Sequence, residues 1–121
     1  AKHAKVKLVA VWSESGGMAR YLSQTGLRVP ILSFSSSPVA CRRMNFLGGV
    51  LPVESEPPAS GLLSDWTDQV EKLIIDRGYA RRGDRVILIA GKPLGSVQGQ
   101  DAMAILRIGD PGSGFRSHDE H

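Results

Sequence analysis

GDRVILIAGKPLGSVQG, residues 83–99, is the stretch on which the fold of this chain turns. Gly83-Asp84 is a tight-turn signal, and residues 85–90, RVILIA, make a continuous β-branched apolar run of strand length. A strand apolar on both faces belongs in the middle of a sheet covered on both sides. Gly91, Gly95 and Gly99 follow, with Pro93 among them, so the next segment has little side-chain bulk and much exposed backbone. After a buried strand, such a segment is either a plain turn or the ligand-binding edge of an open α/β sheet.

Toward the N-terminus, residues 6–11, VKLVAV, read as a second buried strand. Trp12-Ser13-Glu14-Ser15-Gly16-Gly17 comes next, then a short helix from Met18 through Ala19 and Leu22 that Gly26 ends. Strand, Ser/Gly loop and helix N-terminus together can hold an anion, because unpaired N–H groups and the positive end of the helix dipole converge there. Plain N-capping by Ser13 or Ser15 produces the same pattern. The spacing matches neither the dinucleotide fingerprint nor the Walker loop.

Residues 29–34, VPILSF, give a strand with Pro30 at its start, where a missing donor is tolerated. Ser37-Pro38 reads as N-cap and first helical position. Ala40, Cys41, Met44 and Leu47 form the apolar stripe of that helix, and Gly48-Gly49 stops it. On this stripe Cys41 reads as buried filler rather than a reactive thiol. Val50–Val53 is a short strand and residues 54–61 a loop. A long helix follows, with Leu62, Trp66, Val70, Leu73 and Ile74 on one face and Gly78 at its end. Residues 102–108 form a final strand, too close to the preceding one for a helical crossover and therefore antiparallel to it.

Right-handed crossovers arrange this β-α-β-α-β-α-β-β order as a three-layer α/β/α domain. Its five-stranded, mostly parallel sheet has the order 3-2-1-4-5, with the last strand antiparallel. That order sets residues 12–17 beside residues 91–99 in one crevice. The domain is expected to span residues 1–108, and residues 109–121, GDPGSGFRSHDEH, to be a flexible polar tail. His118, Asp119, Glu120 and His121 resemble metal ligands in composition only, and no metal site is expected.

Length and composition narrow the function. With 121 residues, 41% hydrophobic and 22% charged, the chain suits one soluble domain. One cysteine excludes an internal disulfide and suits a reducing compartment. There is no apolar run of membrane-span length and no signal-peptide pattern, so the expectation is a cytoplasmic protein without a membrane partner. The net charge of +3 permits an anionic partner. Its basic residues are scattered and aromatics are only 6%, which argues against a nucleic-acid interface.

Several ordered pieces, from about Val6 to Ile108, resemble the C-terminal domain of pyruvate kinase. VAVWSESGGMARYLS (9–23) is similar to that family's first strand, phosphate loop and helix. VPILSFSSSPVACRRMNFLGGVLPV (29–53) resembles its second strand, helix and Gly-Val-x-Pro run. GYARRGDRVILIAGKPLG (78–95) resembles its Lys/Arg-Gly-Asp turn, fourth strand and Gly-x-Pro-x-Gly loop.

The resemblance implies a part of an enzyme that transfers a phosphoryl group from phosphoenolpyruvate to ADP in glycolysis. In that family the catalytic centre, with its magnesium and potassium ions, lies in a separate barrel domain. This chain is therefore expected to hold no catalytic residue and no cofactor, and to be inactive alone. With five residues before Val6, it is also expected to lack the helices that normally precede this domain. Many family members bind a phosphorylated sugar such as fructose bisphosphate here and use the domain in tetramer contacts, which implies a sugar-phosphate partner and a homo-oligomer.

Residue by residue, Ser13, Ser15, Gly16 and Gly17 match the loop that cradles an effector phosphate. Gly91, Pro93, Gly95 and Gly99 match the closing loop, from which Lys92 reaches either the same space or solvent. Met18 lacks the hydroxyl common at its place, and Asp101 adds a charge unfavourable to phosphate. SDWTDQVE (64–71) resembles members whose tryptophan touches the effector. Leu73 stands in place of the arginine expected there, with Lys72 adjacent, so core packing is the weightier role for Trp66. A free-standing phosphometabolite-binding module and a purely structural assembly domain are the readings of other classes.

Overall fold

Arg85–Ala90 is a strand, β4, and it lies inside the sheet as its apolar run demands. A computed structural model of the chain describes residues 6–13, 17–26, 28–90, 96–97 and 100–116. Before β4 come β1 (Val6–Trp12), α1 (Gly17–Gln24), β2 (Ile31–Ser35), α2 (Pro38–Met44), β3 (Val50–Glu54) and α3 (Leu63–Arg77). After it come β5 (Ser96–Val97), β6 (Gln100–Arg107) and one 3-10 turn, Gly114–Arg116.

β3, β2, β1 and β4 run parallel in that order, and β6 pairs antiparallel with β4. The five-stranded mixed sheet in the order 3-2-1-4-5 is therefore present, with β6 as its fifth strand. Two-residue β5 adds a short hairpin partner, pairing Ser96 with Asp101 and Val97 with Gln100, so the last strand starts at Gln100 rather than Ala102.

Local chemistry sets the helix ends. The Ser37 hydroxyl accepts the Ala40 N–H at 3.2 Å and Pro38 opens α2, as the Ser-Pro pair predicts. α2 stops at Met44 with Asn45 as its cap, before the Gly48-Gly49 pair, and Leu47 still packs with the α2 stripe. α3 ends on Gly78 at φ +71, and the Tyr79 N–H closes back on Ile74 O at 3.0 Å. Leu62 is the exposed N-cap of α3 and takes no part in its buried face, which Trp66, Val70 and Ile74 form.

β1 sends Leu8, Ala10 and Trp12 to the α3 side of the sheet, where they meet Leu32, Phe34, Trp66, Val70, Leu88 and Leu106. Val11 lies on the other side with Ala19, Ile31, Ala40, Cys41 and Met44. The buried hydroxyl of Ser33 donates to Met44 Sδ at 2.9 Å. The two faces are not equally covered. On β4, Val86, Leu88 and Ala90 are fully buried toward α3, whereas Ile87 and Ile89 are half-buried on the opposite face. Their cross-strand partners Ile105 and Met103 are 56% and 71% exposed.

Where a flexible tail is expected from Gly109 onward, residues 109–116 fold back onto α3. The Arg116 guanidinium bonds Glu71 Oε1 at 2.6 Å and Asp68 Oδ1 at 3.1 Å. Gly109 N–H donates to the other Glu71 oxygen at 2.7 Å, and Phe115 N–H to Thr67 Oγ1 at 3.2 Å. Burial alone would lower the Arg116 pKa, but the hydrogen bonds and charges of Glu71 and Asp68 outweigh it and hold the group above its usual value. Ser113 Oγ accepts the Arg107 N–H and lies 3.1 Å from Arg107 O, which closes the last residue of β6 on its outer edge. Residues 117–121, with His118, Asp119, Glu120 and His121, lie outside the described residues.

Candidate functional site

β1 and β4 are parallel neighbours with Trp12 registered against Ala90, so the chain leaves both strands at the same end of the sheet. Ser13 follows β1 directly and is held there by its N–H, which donates to Phe34 O at 2.9 Å. Its side chain is buried, and its Oγ accepts the Met18 N–H at 3.1 Å. This bond spans the Ser/Gly loop and ties the end of β1 to the first turn of α1.

The capping that the sequence allows is thus made by Ser13, and it has a chemical consequence. A hydroxyl that accepts one bond keeps a proton to donate. Ser13 Oγ–H stands beside the N-terminus of α1, whose first turn carries no acidic residue. The positive end of a helix favours an anion by about 0.3–1 kcal/mol. Met18 N–H is already engaged with Ser13, so the donor this arrangement offers an anion is the Ser13 proton rather than the Met18 amide. Gly17 is the exposed first residue of α1, without a Cβ to crowd that approach.

Of the other residues singled out from the sequence, Ser15 and Gly16 lie outside the described residues, and so do Lys92, Gly95 and Gly99. Trp66 is described, and it is fully buried. Its ring meets Phe34 edge-on at 5.8 Å and Phe115 at 6.3 Å, in the packing role that the helical spacing gives it. Among the described residues, neither its indole N–H nor that of Trp12 has a hydrogen-bond partner. Leu73 and Lys72 line an open cavity of about 250 Å³ beside α3, with Phe34, Ser55, Gln69 and Asp76. The described residues contain no group of three or more metal-ligating side chains. No described helix is long and apolar enough to cross a membrane.

Phe34 and Phe115 are the participants that sequence reading misses. Phe34 shows only as a strand residue, and Phe115 sits in a Gly-rich polar run with nothing local to mark it as packed.

The sequence model of the family described as "Pyruvate kinase, alpha/beta domain" matches residues 1–106. The chain belongs to that family. Among curated relatives, a pyruvate kinase of Sporosarcina psychrophila is 31% identical over 106 residues, covering 88% of this chain and 18% of the relative. Pyruvate kinase 1 of Saccharomyces cerevisiae is 34% identical over 101 residues, covering 76% of this chain and 19% of the relative. The pyruvate kinase of Lactococcus lactis is 31% identical over 91 residues, covering 75% and 18%. This chain thus spans about a fifth of the length of the curated pyruvate kinases it matches. In fold it is similar to a Cryptosporidium parvum pyruvate kinase solved in complex with ADP, with a TM-score of 0.67 at 20% identity over 87% of this chain and 21% of that one. The pyruvate kinase alpha/beta match stops just before Arg107, so the segment fastened to α3 follows the matched region.

Proposed function

We propose that this chain is the regulatory and assembly domain of a cytoplasmic pyruvate kinase. In this reading it binds phosphate, or the phosphate of a sugar effector, at the Ser13–Gly17 loop. Phosphoryl transfer from phosphoenolpyruvate to ADP, part of glycolysis, belongs to the whole enzyme. One observation carries the binding reading: the bond from Met18 N–H to Ser13 Oγ fixes a hydroxyl donor at the α1 N-terminus, at the sheet end where β1 and β4 terminate together. A charge-assisted bond contributes roughly 1.5–3 kcal/mol, so the binding expected of such a site is weak and needs two or three of them to one phosphate. A second phosphate is poorly served, since Leu73 of α3 stands where the family resemblance would put an arginine.

The test is phosphate titration of the native chain against Gly17→Asp, followed by the amide resonances of Ser13, Gly17 and Met18. The new carboxylate would sit at the helix N-terminus, which it suits electrostatically, so the fold is kept while the anion is excluded. The native chain is expected to saturate and the variant to lose at least roughly tenfold in affinity, equivalent to about 1.4 kcal/mol. Equal binding by both would place the site elsewhere or remove it.

A second reading, assembly without a ligand, is favoured by a different observation. The exposed Met103 and Ile105 lie on one face beside the half-buried Ile87 and Ile89. Such a patch suits a homo-oligomer contact.

A further inference from the structure

Three arginines stand at the end of the sheet where β4 begins and β6 ends, and the candidate site uses none of them. Arg82 lies in the turn before β4, Arg85 is the first residue of β4, and Arg107 is the last of β6. Arg85 and Arg107 are directly opposite each other in the antiparallel ladder. Like charges so placed destabilise a sheet unless an opposite charge comes between them. Among the described residues both ion pairs belong to Arg116, so none of these three guanidiniums has a carboxylate partner there.

An open cavity of about 330 Å³ lies between the Arg82-Gly83 turn and residues 107–111, with Arg82 and Arg107 both in its wall. Gly109 seats Arg82. It adopts φ +90, and a Cβ there would stand 2.7 Å from Arg82 Cγ and 3.1 Å from its Nε, so the arginine stem lies against bare backbone. Glu71 fixes that backbone from α3 by accepting the Gly109 N–H at 2.7 Å. The N–H groups of Gly83, Ile108 and Asp110 are likewise spent on backbone carbonyls. Asp110 is the acid in the wall, and its Oδ1 accepts the Gly112 N–H at 3.0 Å. What the side chains of this cavity offer a ligand is therefore two guanidiniums.

We propose that this cavity is an anion site separate from the Ser13 loop, in which Arg82 and Arg107 hold the phosphate group of a small phosphorylated molecule. A planar guanidinium matches phosphate through two parallel N–H···O bonds, and a phosphate dianion has the charge and the oxygens for two such partners. A carboxylate, with one charge and one pair of oxygens, suits a single arginine. Arg85 adds a third positive charge beside Arg107. The proposal does not rest on the reading of the Ser13 loop, because the six residues of β4 set the two places roughly 20 Å apart.

The experiment titrates inorganic phosphate, as the dianion and at constant ionic strength, into the 121-residue chain. It follows the amide resonances of Gly83, Ile108 and Gly109 beside those of Ser13 and Met18. The cavity amides are expected to shift saturably. Arg82→Gln and Arg107→Gln keep most of the stem and remove the charge, and each is expected to weaken that response at least roughly tenfold. Both residues are exposed, so the variants keep the fold, which the resonances away from the cavity check. Arg42→Gln makes the same change of net charge on the exposed side of α2 and is expected to leave the affinity within about twofold. Acetate is expected to bind more weakly than phosphate. No saturable shift at the cavity, native affinity in either cavity variant, a loss from Arg42→Gln as large as theirs, or equal binding of acetate overturns the proposal. A response confined to Ser13 and Met18 supports the loop site and overturns this one, so the two readings fail separately.

Discussion

Trp66 shows how one residue can answer two opposed questions. Its helical spacing marks it as core and its surrounding motif marks it as an effector contact, and full burial between Phe34 and Phe115 satisfies the first. The buried indole N–H is a cost, because among the described residues nothing accepts it. Trp66→Phe removes that donor, worth roughly 1–3 kcal/mol when unsatisfied, and also removes packed volume. The two effects oppose, so urea unfolding should place Trp66→Phe within about 1 kcal/mol of the native chain. Trp66→Ala leaves the cavity with no lost-donor gain large enough to fill it, and should cost about 3–5 kcal/mol. A Phe variant as damaged as the Ala variant would mean that the indole N–H is satisfied in solution.

At the scale of elements, the ends of α3 test the backbone argument. Gly78 adopts φ +71 and has open space around the position of a Cβ, so Gly78→Ala tests the conformation alone. It is expected to destabilise the chain by about 1–2 kcal/mol in chemical denaturation, and a neutral result would show that the cap rearranges freely. The elements that local chemistry dictates are the ones legible in the sequence. RVILIA must lie inside the sheet, although only its α3 side is fully buried, Ser37-Pro38 opens a helix, and Gly78 closes one. Crossover handedness then orders the sheet. Three features escape for one shared reason: their cause lies far along the chain. The fold-back of residues 109–116 onto α3 depends on Thr67, Asp68 and Glu71, which are 45 to 48 positions from Phe115 and Arg116. Two-residue β5 exists only as a partner of β6. Leu62 satisfies the apolar spacing of α3 yet falls one residue before its first turn. At the candidate site, Ser13 is legible as a cap, whereas the span of its bond to Met18 is set by a loop closure that no local pattern announces.

At the scale of the whole molecule, one sheet face remains partly bare. Ile87 faces Ile105 and Ile89 faces Met103, and the outward backbone of Met103 and Ile105 has no strand beside it among the described residues. Apolar area of this kind drives association at about 25 cal/mol per Å². Sedimentation at rising concentration should show the isolated chain associating, and Met103→Lys with Ile105→Thr should return it to monomer. A native chain that stays monomeric would count against the assembly role. Under the proposed function, phosphoryl transfer depends on polypeptide beyond these 121 residues. Phosphoenolpyruvate and ADP incubated with this chain alone should therefore yield no pyruvate above a heat-killed blank, and turnover would refute that division of labour.

The register of β1 against β4 also bears on how the protein is made. β1 finds β2 soon after both leave the ribosome, but its other edge is filled by Arg85–Ala90, which emerges only after three helices and two more strands have been synthesised. Until then the apolar backbone from Leu8 to Trp12 is open on one side, in a nascent chain that already carries most of its hydrophobic surface. Translation arrested anywhere before β4 leaves a sheet with its central strand exposed, the form most prone to pair with another such chain. The late arrival of one strand thus makes the coding segment from Arg85 onward the part on which soluble production of this domain depends.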